Sequence, residues 1–442
     1  MSHFDAGGWI MTATIDAAIG PRENGKPPPE VPLADIDLAQ IEFWGLDGDY
    51  RDGAFATLRR EAPIKFFEVP EFGGFPAGAG HWALSRHHDV QFVSRHPDLF
   101  SSSPTSTSLN DVAVEIAEYL GSTITLDDPR HLRLRGIVNR AFTPKVIARI
   151  EQSVRDRSRR LVAEMRAAHP DGRADFVASL SGPLPLQIIC DMMGIPEEDE
   201  AKVFHWTSVL MGIGDDEASG EFDEIVKVVL ELGEYGVQLA EARRAHPAED
   251  LTTNLVEAEV DGERLSSAEI GSFFILLSAA GNETTRNAMS HGMVALTRYP
   301  EERAKWWNDF DRLAPTAVEE IVRWASPIIF MRRNLTRDLE LGGVPMKAGD
   351  KISMWYNSAN RDEAAFADPR TFDVSRNPNP HIGFGAGGAH FCLGANLARR
   401  EIRVLFEELH RETPDIVAVA EPAILRSAFV HGVKRLPVVW TA

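Results

Sequence analysis

The sequence predicts a mainly α-helical fold with a minor β portion, organised as a single domain. Three observations carry this. Beyond residue 108, most of the chain to about 325 repeats its apolar residues at helical spacing. Residues 265–299 form one long periodic segment, opened by a Ser266/Glu269 capping box and stopped by Pro300. A strand-rich stretch follows at 332–358, with turn signals at Gly342-Gly343 and Gly349-Asp350.

In chain order, residues 1–30 are weakly patterned and end in a Lys26-Pro27-Pro28-Pro29 run, an extended N-terminal tail. Residues 31–442 are the domain, since no Gly-, Ser- or Pro-rich linker divides them. From about 50 to 100, short strand-like and helical pieces alternate, among them His81-Trp82-Ala83-Leu84, and Ser101 to Ser108 is a polar loop. The segment 265–299 would span roughly 50 Å as a helix, enough to cross a domain.

The composition is that of an ordinary soluble protein: 442 residues, 44% hydrophobic and 25% charged. A net charge of −20 argues against nucleic acid as a partner. No run of about 18 apolar residues provides a membrane span, and the first residues lack a signal-peptide pattern. The expected location is cytoplasmic, where the 2 cysteines would stay reduced. Cys190 lies in an apolar helical stretch and reads as a small core residue.

Cys392 is different. It ends the glycine-rich run from His381 to Gly394 and stands just before an amphipathic helix containing Leu397, Ile402, Leu405 and Leu409. Free N–H groups and the positive helix end favour its thiolate. A lone thiolate in such a turn suits axial ligation of haem iron, and the glycines let the backbone approach a flat macrocycle. An inert buried cysteine beside a turn is the plainer alternative. A zinc site of Cys392 and His390 lacks further ligands at usable spacing.

Other patterns gain weight by company. Ala280-Gly281-Asn282-Glu283-Thr284 is a polar cluster inside an otherwise apolar helix, which costs free energy unless used or satisfied. Thr284 follows Ala280 by four residues, so its hydroxyl can bond that carbonyl and open the helix locally. Glu320 and Arg323 share a helix face, which by itself reads as a solvated surface bridge worth little; His131 and Arg135 also share one, and for each of them singly a surface salt bridge is the plainer reading.

Together these segments resemble the cytochrome P450 monooxygenases. His390, Gly388 and Gly394 fall in register with the family's cysteine signature; Phe384 lies one residue too far away because the loop holds an extra small residue. The resemblance implies the single-domain P450 fold and haem b ligated by Cys392. Phe384, Ala280 and Gly281 would lie against the haem, and His131, Arg135, Arg333 and His390 would hold its propionates. Thr284 and Glu283 would be the catalytic pair, the glutamate linking to solvent. Glu320, Arg323 and Arg376 would clamp the cysteine loop. Electrons would come from a ferredoxin and an NAD(P)H-dependent ferredoxin reductase, docking on a basic face formed from Arg133, Arg140, Lys145, Arg399, Arg400 and Arg403.

The runs 182–196, 280–287 and 377–384 resemble an actinobacterial subgroup of that family. This implies hydroxylation of the terminal carbon of lipids: methyl-branched fatty acids, fatty alcohols or isoprenoids. Sterol side-chain hydroxylation, as of cholest-4-en-3-one, is the alternative. An H2O2-dependent peroxygenase and a non-catalytic haem protein are the readings from other classes, and the intact Glu283-Thr284 pair argues against both. Leu276, Ala280, Ile328, Ile329, Phe330, Phe429 and Val430 are the expected pocket walls.

Overall fold

A computed structural model describes residues 19–72, 76–141, 144–218, 222–260 and 262–441. The capping box forms: the Glu269 N–H donates to Ser266 Oγ (3.2 Å) and the Ser266 N–H to Glu269 Oε2 (2.9 Å). The helix they open runs Ser267–Arg298, 32 residues, and Pro300 starts the next helix, Pro300–Asn308. Helices Pro183–Met193, Glu200–Met211, Phe222–Ala245 and Phe310–Ala325 pack around it. Its sides are buried almost throughout, which explains apolar residues beyond a single stripe. Ala280 is the exception, exposed at mid-helix because it faces an internal cavity.

The β portion is a 5-stranded sheet in the order Ile64–Val69, Gly78–Leu84, Lys351–Trp355, Phe330–Leu335, Phe100–Ser101. Lys351–Trp355 runs parallel to Gly78–Leu84 and antiparallel to Phe330–Leu335. The strand-rich stretch thus supplies the sheet centre, and Trp355, fully buried, stacks on Trp44 at 5.1 Å.

The described part of the N-terminal tail is docked. The Ile19 N–H donates to Ala418 O (3.0 Å), the Arg22 N–H to Arg298 O (3.1 Å), and Asn24 exchanges side-chain bonds with the Phe372 backbone. Residues 1–18 lie outside the described residues. Cys190 is fully buried, and burial pushes its thiol far up, as expected of a core residue.

Candidate active site

The loop before helix Ala395–Glu412 is built by its glycines. Gly385, Gly387 and Gly388 have φ of +95°, +89° and +86°. At Gly388 a Cβ would lie 2.4 Å from Ser94 O, so space as well as conformation demands glycine. Ser94 Oγ donates to Gly387 O (2.7 Å) and Arg95 Nε to Ala386 O (3.3 Å). The Cys392 N–H donates to Phe384 O (2.9 Å), so Phe384 closes the loop through its backbone despite its shifted register.

The Cys392 sulfur borders the cavity and is accessible from it. Burial by the surrounding loop pushes its thiol pKa up; the N–H groups of Gly394 and Ala395 and the charges of Arg135 and Arg399 pull it down without cancelling that. This corrects the expectation that the helix end alone favours thiolate. Here desolvation outweighs the dipole, and a bound cation is what would hold the sulfur ionised.

Behind the loop stands the expected clamp. Glu320 and Arg323 are fully buried and bidentate, with both N–O distances 2.7 Å. Arg376 Nε reaches the same carboxylate at 3.1 and 3.2 Å, and Asn379 Nδ2 adds a bond at 3.1 Å. Asn360 carries the clamp to the loop: its carbonyl accepts from Arg323 Nη1 (2.9 Å) and its Oδ1 from the Ile382 N–H (2.8 Å). Asn360 has no sequence signal, because its role depends on a long-range meeting. Glu319 was also not anticipated. It holds His381 (2.7 Å) and Arg399 (2.5 Å), and although burial raises its carboxyl, those partners bring it down to about 2.

The structure brings His131, Arg135, Arg333 and His390 together; the last three line one rim of the cavity, and His131 packs behind His390. The imidazoles of His131 and His390 are 4.3 Å apart, and burial followed by Arg333, His131 and Arg135 drives His390 well below its ordinary pKa. Arg135 Nη2 donates to Phe391 O (2.6 Å). Ser102 Oγ, which the sequence reading did not include, bonds His390 Nε2 at 3.0 Å. His131 Nε2 is buried without a partner. Such a convergence of donors fits the propionates of haem, whose ring would then lie between the Cys392 loop and Ala280.

On the opposite side, Thr284 Oγ1 donates to Ala280 O at 2.8 Å, as expected. The helix nevertheless stays continuous there, so the bond replaces no turn. Glu283 is fully buried and paired with Arg286 at 2.5 Å rather than facing solvent. Burial raises its carboxyl pKa, against Arg286 and Asn287.

The cavity, of about 1230 Å³, is lined by Cys392, Phe384, Arg135, Arg333, His390, Ala280, Gly281 and Thr284. That is more than a typical single-ligand pocket, leaving room for a substrate beside a macrocycle. Leu276, Ile328, Phe330 and Phe429 line it as expected; Ile329 and Val430 do not. Alternation explains this correction. Ile328 and Phe330 flank Ile329, whose side chain turns into the core, and Val430 sits behind Phe429, bridged to Ile328. Phe72, Leu109 and Met211 also line the cavity, on loops and a helix end whose pairing only the fold reveals.

A cytochrome P450 family model matches residues 217–411. The chain is 65% identical over 427 residues to the methyl-branched lipid omega-hydroxylase of Mycobacterium tuberculosis, covering 97% of this chain and 100% of that protein. This chain belongs to the cytochrome P450 family. The P450 is also 40% identical to the steroid C26-monooxygenase of Mycolicibacterium smegmatis, over 87% of this chain and 90% of that one. A Mycobacterium marinum P450 solved with pseudoionone superposes with a TM-score of 0.86 at 40% identity, over 93% of this chain and 99% of that one. The P450 is a monooxygenase, its fold is that of bacterial relatives, and among the described residues no helix is long and apolar enough to cross a membrane.

The basic face looks different from the expectation. Arg399 is paired with Glu319 (2.5 Å), Arg400 with Glu151 (2.5 Å), Arg403 with Asp311 (3.0 Å) and Arg133 with Glu269 (2.8 Å). Lys145 pairs with Glu249, and Arg140 donates to Glu259 O (2.8 Å). Exposed Phe391 and Leu393 lie among these cations.

Proposed function

We propose that this P450 hydroxylates the terminal carbon of lipids, with methyl-branched fatty acids, fatty alcohols or isoprenoids as substrates. The observation that carries the reading is the apolar wall of Leu276, Ile328, Phe330 and Phe429, which leads to Ala280 and Thr284. Terminal C–H bonds are stronger than their neighbours, so only shape can direct oxidation to the chain end. The high identity to a methyl-branched lipid omega-hydroxylase supports this over the sterol alternative, whose relatives match less closely.

Haem held by Cys392 would supply dioxygen binding and activation, the thiolate favouring O–O cleavage. The chain's own residues manage position and protons. Ala280 leaves space beside the ring, and the Thr284 hydroxyl, steadied on Ala280 O, presents its oxygen to the cavity. Burial raises the Glu283 carboxyl above its ordinary value, which favours its carrying a proton, and Arg286 is the partner to which it would return. Thr284→Ala is expected to divert most electrons from NAD(P)H into hydrogen peroxide while leaving substrate binding within about fivefold, since the cavity wall loses only one hydroxyl and one methyl. Peroxide and product yields per NAD(P)H measure this; an unchanged yield would remove the role of Thr284.

Electrons would come from a ferredoxin and its NAD(P)H-dependent reductase, meeting the cysteine-side face around Phe391, Leu393 and Arg400. Since the cations there are internally paired, docking would lean on the apolar centre, and reduction should depend only weakly on salt. A steep fall of the reduction rate with ionic strength would contradict this.

The substrate reading is tested by titrating the ferric Soret band with one long fatty acid in straight and terminally methyl-branched forms, beside cholest-4-en-3-one. Tighter low-to-high-spin conversion by the branched chain is expected. Tighter conversion by the sterol would move the assignment to sterol side chains.

A further inference from the structure

The charged side chains on the cavity wall are confined to the haem side. Arg135 and Arg333 stand with His390 at the rim. Arg399, Arg400 and Arg403 belong to the helix after Cys392, each bonded to a carboxylate. The remainder of the wall, from Val69 and Phe72 through Leu109 and Ile116 to Met211 and Phe429, has no charged side chain among the described residues. Its polar members are neutral, chiefly Thr105, Thr107, Ser108 and Asn110.

Cations do stand behind this wall, but they are engaged elsewhere. Arg332, 2% exposed, donates to the carbonyls of Ser108 (3.3 Å), Leu109 (3.4 Å) and Asn110 (3.3 Å) and to Asp111 (3.2 Å). Lys351 Nζ takes the other Asp111 oxygen at 2.6 Å. Across the cavity, behind Ile213, Arg426 binds Gly214 O (3.0 Å) and Asp216 (2.5 Å), and Lys434 binds Asp215 (2.9 Å). The residues outside the described ones contain no Lys or Arg in their sequence.

We infer that this channel encloses a lipid head-group only when it is uncharged. An alcohol, ester or ketone end can sit against the Thr105–Asn110 strip, whereas a carboxylate must remain in solvent beyond the mouth. The inference rests on the reading that a lipid chain occupies this cavity, and it adds a rule about which lipids fit. Enclosing a carboxylate without a counter-ion is costly, and the acidic Asp215–Glu217 turn behind one wall offers it nothing. Affinity should therefore depend on chain length differently for acids and for neutral lipids. A short acid cannot keep its terminal methyl at the iron and its carboxylate in water; a long one can.

The test is a ferric Soret titration of the haem-loaded protein with methyl-branched chains of increasing length, each as free acid, methyl ester and alcohol. Short esters and alcohols should bind at least about tenfold tighter than the matching acids. The gap should close for long chains, and short acids should tighten as pH is lowered toward their own pKa. Short acids that bind as tightly as their esters at neutral pH would overturn the head-group rule while leaving the lipid reading in place. A series in which no branched lipid of any head-group or length shifts the spin state would take down both readings.

Discussion

Cys392→Ser is expected to abolish monooxygenation while leaving the fold intact. The Cys392 N–H to Phe384 O bond that closes the loop is backbone to backbone, so serine keeps it. The positive-φ glycines and their Ser94 and Arg95 supports are also untouched. Only the sulfur is lost, and with it the electron donation that favours O–O cleavage. Turnover should fall by more than about a thousandfold, equivalent to about 4 kcal/mol in the barrier. The ferrous carbon monoxide complex should lose the red-shifted Soret band of thiolate ligation. Cys190→Ser is the control: that residue is fully buried in the helical core, so it should cost some stability and leave the spectrum unchanged.

Arg323→Ala is the second large effect, and it acts through structure. Its guanidinium holds Glu320 at 2.7 Å twice and reaches the carbonyls of Asn360 (2.9 Å), Pro369 (2.8 Å) and Thr371 (3.1 Å). Both members of the pair are fully buried, so removing Arg323 takes away the bidentate partner of Glu320, leaves that carboxylate to the longer bonds of Arg376 and Asn379, and orphans several carbonyl acceptors. The cost should be about 3–5 kcal/mol. Because Asn360 links the clamp to Ile382, the loss should appear first as poor haem retention and then as a lowered Tm. Arg323→Lys should recover little, since one ammonium cannot make the bidentate fork. Wild-type haem content and Tm in Arg323→Ala would show that the clamp does not support the cysteine loop.

These two sites differ in how far the sequence reveals them. Cys392 is legible because its signals are local: glycines that need positive φ, one cysteine, and an amphipathic helix directly after it. The long helix is legible for the same reason, its capping box and Pro300 lying at its own ends. The clamp is legible only through resemblance, since Glu320 and Arg323 alone look like a surface bridge, and burial is what changes their weight. Residues that act by meeting across the fold, such as Asn360, Glu319 and Ser102, leave no pattern in the chain. The resemblance points to the segments that hold Ile329 and Val430 as pocket wall, but not to which of their side chains face in; alternation along the chain turns these two away. The thiol of Cys392 shows the same limit. A helix end is readable from sequence, but the desolvation that outweighs it depends on everything packed around the loop.

The central claim is that shape directs oxidation to the chain end. It is tested most directly by product analysis with a reconstituted ferredoxin and reductase, using a terminally methyl-branched lipid that carries deuterium only in its terminal methyl groups. The account predicts a product hydroxylated at a terminal methyl, with one deuterium lost from that carbon. Hydroxylation at the weaker tertiary C–H beside the methyl fork, with every deuterium retained, would contradict it.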